Sequence, residues 1–293
     1  MRCDLYPTRS SAADSFVPRH DPIIWSDAEP SGFVSKSDIE TFERDGFLVL
    51  RDLLSQEDVE ACTAELERLR KSADELEPET VVREPDSEAI RSIFRVHRQS
   101  PVFARLGRHP RLRQVAEYIL GGDVYVMQSR VNDKPAFDGD RFDWHSDFET
   151  WHAEDGMAHM RAVSASVFLS TNTELNGPTM FIPGSHKRFV PCPGETPDEN
   201  YRTSLRRQQV GVPRPERIGE LADEGGIVAP SGPAGTVVLF DCNLLHASAP
   251  NMTPWPRSNA FFVFNSVANT LQAPYDRDKP RPEFLAEQAP MAA

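Results

Sequence analysis

The first part of the chain, residues 36–121, carries apolar positions at the three- and four-residue spacing of amphipathic helices. The clearest helix begins after Ser55, because Asp58 follows it at the spacing of a capping box. We predict that this helix runs to about Leu76. A second helical region is predicted over residues 101–120. The apolar positions of the first helix before its end are Val59, Cys62, Leu66 and Leu69.

Shorter elements complete this helical part. A helix is predicted over residues 37–45, and an apolar strand follows it over residues 47–50. Two glycines, Gly121 and Gly122, supply the stop for the second helical region. Residues 1–35 contain prolines without periodicity, which predicts an extended N-terminal arm.

After residue 122 the pattern changes to short runs rich in β-branched and aromatic residues, separated by Gly, Pro and Asn. Several short strands that follow a helical part favour a double-sheet jelly roll with helices packed outside it. We therefore predict a mainly β fold with added helices. The predicted strands are residues 124–131, 162–169, 179–182, 235–240 and 260–267.

One long segment of the predicted jelly roll, at about residues 191–232, is rich in Pro, Arg and Glu and shows no strand pattern. We expect it to form an excursion over the surface, and long loops of this kind often act as lids or binding loops. No hinge between two cores is visible. The sequence is therefore predicted to form a single domain over residues 1–293, with its jelly-roll core over residues 122–293.

Charge and composition narrow the classes of partner. The formal net charge of −13 argues against a phosphate-backbone partner, because nucleic-acid-binding proteins concentrate Lys and Arg. No apolar run approaches the roughly 20 residues that span a bilayer. The cysteines are dispersed without a CxxC pair, so neither a disulfide framework nor a structural zinc site is expected. We predict a cytoplasmic protein with neither nucleic acid nor membrane as partner. The cysteines are Cys3, Cys62, Cys192 and Cys242.

The densest candidate chemistry surrounds His145 and Asp147, which stand two residues apart. On an extended backbone such residues point to the same side, so that an imidazole nitrogen and a carboxylate oxygen can converge on one ion. His246, just past a predicted strand, is the third candidate ligand. Two histidines and one carboxylate form the facial triad of Fe(II) oxygenases, which leaves open positions for a bidentate 2-oxoacid and O₂. We predict a mononuclear Fe(II) site.

Other histidines compete for this role. His152 and Glu154 have the same spacing as the first pair, but we interpret them as solvated loop residues. His186 follows a Pro-Gly-Ser turn and is interpreted as a loop residue near the rim of the site. The remaining histidines, which lack a companion carboxylate at a useful spacing, are His20, His97, His109 and His159.

An arginine shortly after the last candidate ligand strengthens the iron hypothesis. A dicarboxylate co-substrate needs a cation at its far end, and the guanidinium of Arg257 offers a planar bidentate clamp. A loop with two prolines separates it from His246 and can return it to the same cavity. Ser248 can donate a hydroxyl hydrogen bond to the same carboxylate. These residues predict 2-oxoglutarate as co-substrate.

This order of His-x-Asp, distal His and Arg resembles the phytanoyl-CoA dioxygenase superfamily of Fe(II)/2-oxoglutarate-dependent oxygenases. Within it, residues 144–157 closely resemble the ectoine hydroxylase family, and the resemblance covers nearly the whole chain. The further segments that carry the resemblance are residues 4–9, 128–130, 132–135, 172–186 and 250–267.

The resemblance implies a double-stranded β-helix (a cupin-like jelly roll), a homodimer, and conversion of ectoine to 5-hydroxyectoine with succinate and CO₂ as co-products. It places iron on His145, Asp147 and His246. It implies that Lys134 and Arg257 contact 2-oxoglutarate. The weaker co-substrate candidates are Asn132 and Ser248, the substrate candidates are Gln128 and Trp151, and two further residues that can line the site are Asn265 and Arg281.

Three alternatives keep part of this pattern. Another hydroxylase of the superfamily, acting on a free amino acid or an acyl thioester, would retain every iron and co-substrate residue. A halogenase requires that the carboxylate ligand be missing, and Asp147 argues against it. A non-catalytic cupin-like binding protein would not need the complete triad together with Arg257. For Trp151, the alternative to a substrate contact is a hydrophobic wall.

Overall fold

The computed structural model describes residues 4–10, 15–51, 53–84 and 87–290, so that Cys3 lies outside the described residues. Strands β1 to β12 are Val17–Pro18, Phe47–Leu50, Val81–Arg83, Ile90–Phe94, Val124–Lys134, Phe142–His145, Ala162–Phe168, Thr179–Phe181, Arg188–Phe189, Val237–Asp241, His246–Ser248 and Arg257–Ser266. Helices α1 to α8 are Lys36–Asp45, Gln56–Lys71, Val96–Gln99, Pro101–Gly107, Pro110–Leu120, Asp147–Thr150, Tyr201–Ser204 and Pro215–Gly225. Trp151–Asp155 forms a π-helical turn after α6.

Two antiparallel sheets build the core. The major sheet has seven strands in the order β2-β10-β7-β12-β5-β4-β3, and the minor sheet has three in the order β6-β11-β8. Phe181 of the minor sheet packs in one cluster with Phe168 and Phe240 of the major sheet, so that the two sheets face each other. This arrangement confirms the predicted jelly roll.

Side chains along β7 alternate between the helix-covered outer face of the major sheet and its inner face. Val163, Ala165 and Val167 pack with α2, α4 and α5 on the outer face. Ser164 and Phe168 point to the opposite face, toward Asp147 and the minor sheet. Because side chains on a strand alternate between faces, one strand supplies both the helix-packed core and the floor of an inner cavity.

The predicted helices are confirmed with two changes. The helix that begins after Ser55 ends at Lys71, and a separate 3-10 turn follows it over Ala73–Glu75. The predicted helical region over residues 101–120 divides into α4 and α5 before Pro110. Proline cannot continue a helix without losing a backbone hydrogen bond and clashing with the preceding turn, but it is favoured at the first turn of a new one.

The predicted excursion carries two helices, α7 and α8, and its residue Val228 forms an isolated bridge with Phe181. At the other end of the chain, strand β1 of the N-terminal arm pairs with β9. None of the helices in the described part of the chain combines the length and apolarity that a membrane-spanning segment requires.

Candidate metal centre and its cavity

All three predicted metal ligands meet at one point of the inner cavity. The ligand atoms of His145, Asp147 and His246 lie within 4.8 Å of one another. The Asp147 Oδ1 atom is 3.7 Å from His145 Nε2 and 3.9 Å from His246 Nε2. The two histidines are direct partners across β6 and β11, so sheet register brings them together. This geometry agrees with the facial triad predicted from the sequence.

Backbone carbonyls orient both imidazoles. His145 Nδ1 is 2.8 Å from the Asp143 carbonyl and His246 Nδ1 is 2.9 Å from the Leu244 carbonyl, which leaves each Nε2 facing the centre. Such a hydrogen bond on the distant ring nitrogen fixes the tautomer of a metal-binding histidine. Burial, then the neighbouring His145, lowers the pKa of His246 to about 4, so its imidazole is neutral at pH 7.

The carboxylate ligand is held in its ionised form. Burial by itself raises the pKa of the Asp147 carboxyl, but the imidazoles of His246 and His145 outweigh it and hold the pKa well below its usual range. Ser164 Oγ also donates to Asp147 Oδ2 at 3.3 Å. Neutral imidazoles and a carboxylate are the protonation states that bind a metal cation. The residues therefore fit an Fe(II) ion.

One detail of the sequence argument changes. Strand β6 ends at His145, and Asp147 is the first residue of helix α6, with Ser146 as its N-cap. The two ligands therefore converge at a strand-to-helix turn and do not share a continuous strand. Phe148 N donates to the Cys242 carbonyl at 2.8 Å, which fastens this turn to the segment that precedes His246.

The two principal co-substrate candidates lie together on the major sheet. Arg257 and Lys134 are register partners across β12 and β5, and both line the cavity. Burial, then Arg257, lowers the pKa of Lys134 to about 6, and burial lowers the pKa of Arg257 to about 10. Arg257 Nε has no hydrogen-bond partner among the described residues. Two buried cations side by side disfavour each other's charge, which creates a site for a dianion. Asn132 and Ser248 also line the cavity.

The predicted substrate residues line the same cavity, whose volume is about 120 Å³. Trp151, with 2% of its surface exposed, reaches it from the π-helical turn, and Gln128 reaches it from β5. Gln128 Nε2 donates to the Leu285 carbonyl at 2.5 Å, and its oxygen accepts from Arg130. Arg281 lines the cavity as well and binds Asp155 through two nitrogens.

Asn265, the other further residue named from the resemblance, lies elsewhere. Its amide donates to the Tyr125 hydroxyl at 3.0 Å and to the Asn269 carbonyl at 2.8 Å. These contacts place it in the packed end of β12, where its side chain is fully buried.

The interpretation of His152 and Glu154 as solvated loop residues is wrong, because each is only 1% exposed. His186, interpreted as a loop residue near the rim of the site, is fully buried in a 3-10 turn. His152 hydrogen-bonds Asp4 and the Met157 carbonyl and stacks on a tyrosine ring, and Glu154 accepts from Asn200. Burial lowers the pKa of His186 to about 4, so it is a neutral core residue. Local spacing cannot reveal that distant segments cover these positions.

Several cavity residues were not singled out from the sequence. Arg130 lies 4.7 Å from the centre of the Phe261 ring and next to Gln128. From the excursion, Asn200 and Gln208 reach into the cavity. The sequence held one signal for Arg130, since side chains two apart on a strand share a face and Gln128 was already a candidate. The excursion residues gave no such signal.

Comparison with known proteins finds relatives along nearly the whole chain. The family model of phytanoyl-CoA dioxygenase (PhyH) matches residues 42–259. The ectoine dioxygenase of Sphingopyxis alaskensis is 50% identical over 290 residues, which cover 99% of this chain and 95% of that protein. The ectoine dioxygenase of Halomonas elongata is 49% identical over 287 residues, covering 97% and 86%.

Solved structures of EctD from S. alaskensis resemble the whole chain. The structure with 2-oxoglutarate and 5-hydroxyectoine superposes with a TM-score of 0.90 at 47% identity, over 99% of this chain and 97% of that one. The structure with bound Fe gives a TM-score of 0.87 at 46% identity, with the same coverage. The chain is therefore similar to EctD in fold, and the similarity covers nearly the full length of both chains.

Proposed function

The chain belongs to the phytanoyl-CoA dioxygenase family, and we propose that it is an Fe(II)- and 2-oxoglutarate-dependent dioxygenase that hydroxylates ectoine to 5-hydroxyectoine. One O₂ and one 2-oxoglutarate are consumed for each hydroxylation, and succinate and CO₂ are released. The observation that carries the proposal is the triad of His145, Asp147 and His246 in a cavity that also holds Arg257.

Different residues of the chain bind the ion and orient its ligands. Bound Fe(II) supplies the oxidising chemistry with O₂ and 2-oxoglutarate. The Nε2 atoms of His145 and His246 and the carboxylate of Asp147 hold the ion, and Asp143, Leu244 and Ser164 orient these ligands. Three protein ligands leave room for the chelating end of 2-oxoglutarate and for O₂.

We assign 2-oxoglutarate to the side of the cavity formed by β5 and β12. The distal carboxylate of the co-substrate binds Arg257, whose buried Nε has no other partner in the described part of the chain. Lys134 adds a second cation, and Ser248 and Asn132 add polar contacts from β11 and β5. The binding of a dianion also relieves the mutual repulsion of Lys134 and Arg257.

We assign ectoine, which carries a carboxylate and an amidinium cation, to the wall formed by Trp151 and Gln128. The indole offers a π face to the amidinium, and the Gln128 oxygen accepts a hydrogen bond from it. Arg130 and Arg281 lie close enough that Arg281 contributes to lowering the pKa of Arg130, after burial and against the opposing charge of Asp147. This pair of guanidiniums suits the ectoine carboxylate. A small charged cavity also fits a small zwitterion better than an acyl thioester.

The decisive experiment is a substrate panel. The protein is loaded anaerobically with Fe(II), supplied with 2-oxoglutarate and O₂, and offered ectoine, proline or an acyl thioester. We expect succinate and a product heavier by one oxygen atom with ectoine, with one succinate per hydroxylated product. Oxidation of proline or of the acyl thioester while ectoine is untouched would leave the family assignment intact and overturn the substrate.

Residues 1–293 are proposed to form one dioxygenase domain that acts as a homodimer in the cytoplasm, as the resemblance to ectoine hydroxylases implies. Three exposed apolar side chains are of the kind that a dimer interface buries, namely Phe137, Met252 and Trp255. Light scattering after size-exclusion chromatography measures the mass directly. A monomer at all concentrations tested would contradict the dimer and leave the catalytic proposal untouched.

A further inference from the structure

Segment 147–155, which contains α6 and the π-helical turn, carries four carboxylates that are at most 8% exposed. Asp147 belongs to the metal centre. A carboxylate buried elsewhere in a protein is tolerated only when it is paired and hydrogen-bonded, so the other three need cations from outside the segment. They are Glu149, Glu154 and Asp155.

Arg9, in the N-terminal arm, supplies the guanidinium for Glu149. Its Nε and Nη2 atoms donate to the two carboxylate oxygens at 2.6 and 2.8 Å, and Nη2 also lies 3.3 Å from Glu154. Thr8 Oγ1 donates to Glu149 at 2.7 Å. The Arg9 side chain is fully buried, so this is a bidentate pair that water does not screen.

The backbone at Arg9 is strained to reach this position. Its φ of 57° lies in the left-handed region, which non-glycine residues rarely adopt. Its N–H donates to the Cys192 carbonyl at 2.9 Å. On the other side Gly211, itself at a φ of 79°, packs so closely that a Cβ there would lie 2.6 Å from Glu149 Oε2. The arm is therefore enclosed between segment 147–155 and the excursion. Backbone strain that persists in such a place often marks a functional constraint.

Glu149 connects the ion pair with Arg9 to the residues that line the cavity. It stands two residues after the iron ligand Asp147 and directly before Thr150 and Trp151, which line the cavity. Its own carboxylate faces the arm. We infer that Arg9 is a positioning residue for the hydroxylation, because it fixes the part of segment 147–155 from which Trp151 projects. This inference rests on the proposed function.

The test compares Arg9→Met and Arg9→Lys with the wild type in the Fe(II)-loaded full chain. The readout is the number of succinate molecules released per molecule of 5-hydroxyectoine, a ratio that does not depend on how much of the protein is folded. We expect the ratio to rise several-fold in Arg9→Met, and the KM for ectoine to rise more than that for 2-oxoglutarate, because a displaced wall positions the substrate poorly. Arg9→Lys keeps the charge without the bidentate geometry and should give an intermediate ratio.

Arg19→Met is the matched control. Arg19 lies in the same arm, its side chain is 3% exposed, and it pairs with Asp241 of β10 at 2.9 Å. We expect this variant to lose stability and to keep the wild-type ratio. If both Arg9 variants also keep that ratio, Arg9 is only structural and the inference is wrong. If Arg9→Met does not fold, the ratio of Arg9→Lys decides. A wild type that does not hydroxylate ectoine overturns the proposed function instead.

Discussion

The two sides of the cavity are built in different ways. On the proposed iron and 2-oxoglutarate side, every assigned residue except Asp147 lies on a paired strand, and His145 faces His246 and Lys134 faces Arg257 in direct register. The proposed substrate side combines Gln128 and Arg130 of β5 with Trp151 on a π-helical turn and Arg281 near the end of the chain. Backbone hydrogen bonds between strands fix most of the first side, whereas the second side also depends on buried ion pairs between side chains.

This difference has a consequence for specificity. A strand pair sets the distance between its side chains wherever the register holds, so it suits chemistry that must stay constant. Side-chain ion pairs can be changed one at a time without altering the sheet. We therefore expect changes at the iron and 2-oxoglutarate residues to affect the binding of iron or 2-oxoglutarate. Changes at the substrate residues should affect the binding of ectoine and the coupling of the two half-reactions.

The largest effect is expected at the three metal ligands. Changing His145, Asp147 or His246 to Ala should abolish turnover and strongly weaken Fe(II) binding, because each supplies one of three protein ligands. Iron per folded protein is measured by metal analysis after anaerobic loading. His152→Ala is the control and should keep its iron. If His152→Ala loses iron and His145→Ala retains it, the ligand assignment is wrong.

Arg257→Ala should give the next largest effect, which should be confined to the affinity for 2-oxoglutarate. Removal of one member of a buried charge pair costs about 2–5 kcal/mol, which is about 30-fold or more in affinity. The apparent KM for 2-oxoglutarate should rise by this amount while that for ectoine changes little. Steady-state kinetics with each substrate varied in turn checks the prediction. Equal increases for both would contradict the separation of the two sides.

Trp151 tests the substrate side. Loss of a cation–π contact costs about 0.5–2 kcal/mol, so Trp151→Ala should lower the efficiency with ectoine by about 2- to 30-fold. Trp151→Phe should keep part of it, because a weaker π face remains. Both variants should still bind Fe(II) and 2-oxoglutarate, as seen in an unchanged charge-transfer band. Wild-type hydroxylation by Trp151→Ala would mean that the indole is only a hydrophobic wall.

The smallest expected effect is a pH dependence of 2-oxoglutarate binding. The pKa of Lys134 is about 6 because of burial and the neighbouring Arg257, and a bound dianion must raise it. Binding therefore takes up a proton, and affinity should be highest below pH 6 and fall as pH rises above it, by at most about tenfold per pH unit. Lys134→Met should flatten this profile. A wild-type affinity that does not change between pH 6 and 8 would exclude Lys134 as a titrating contact.

The fold class and the metal-ligand triad could be predicted from the sequence alone. Strand and helix periods are local properties, and the facial triad was recognisable because His145 and Asp147 lie close together in the chain, with Arg257 shortly after His246. Spacing did not separate this pair from His152 and Glu154, which stand equally far apart; Arg257, shortly after His246, favoured His145 and Asp147. The solvated environment predicted for His152 and Glu154 is wrong.

The surroundings of those ligands could be described only from the folded protein. Burial depends on segments that are distant in sequence, so no local pattern could show that His186 is a core residue or that the excursion reaches the cavity with Asn200. The same holds for Arg9, which lies 140 residues before Glu149. A charged residue in an irregular arm looks like a solvated one until the fold removes it from water and gives it a partner.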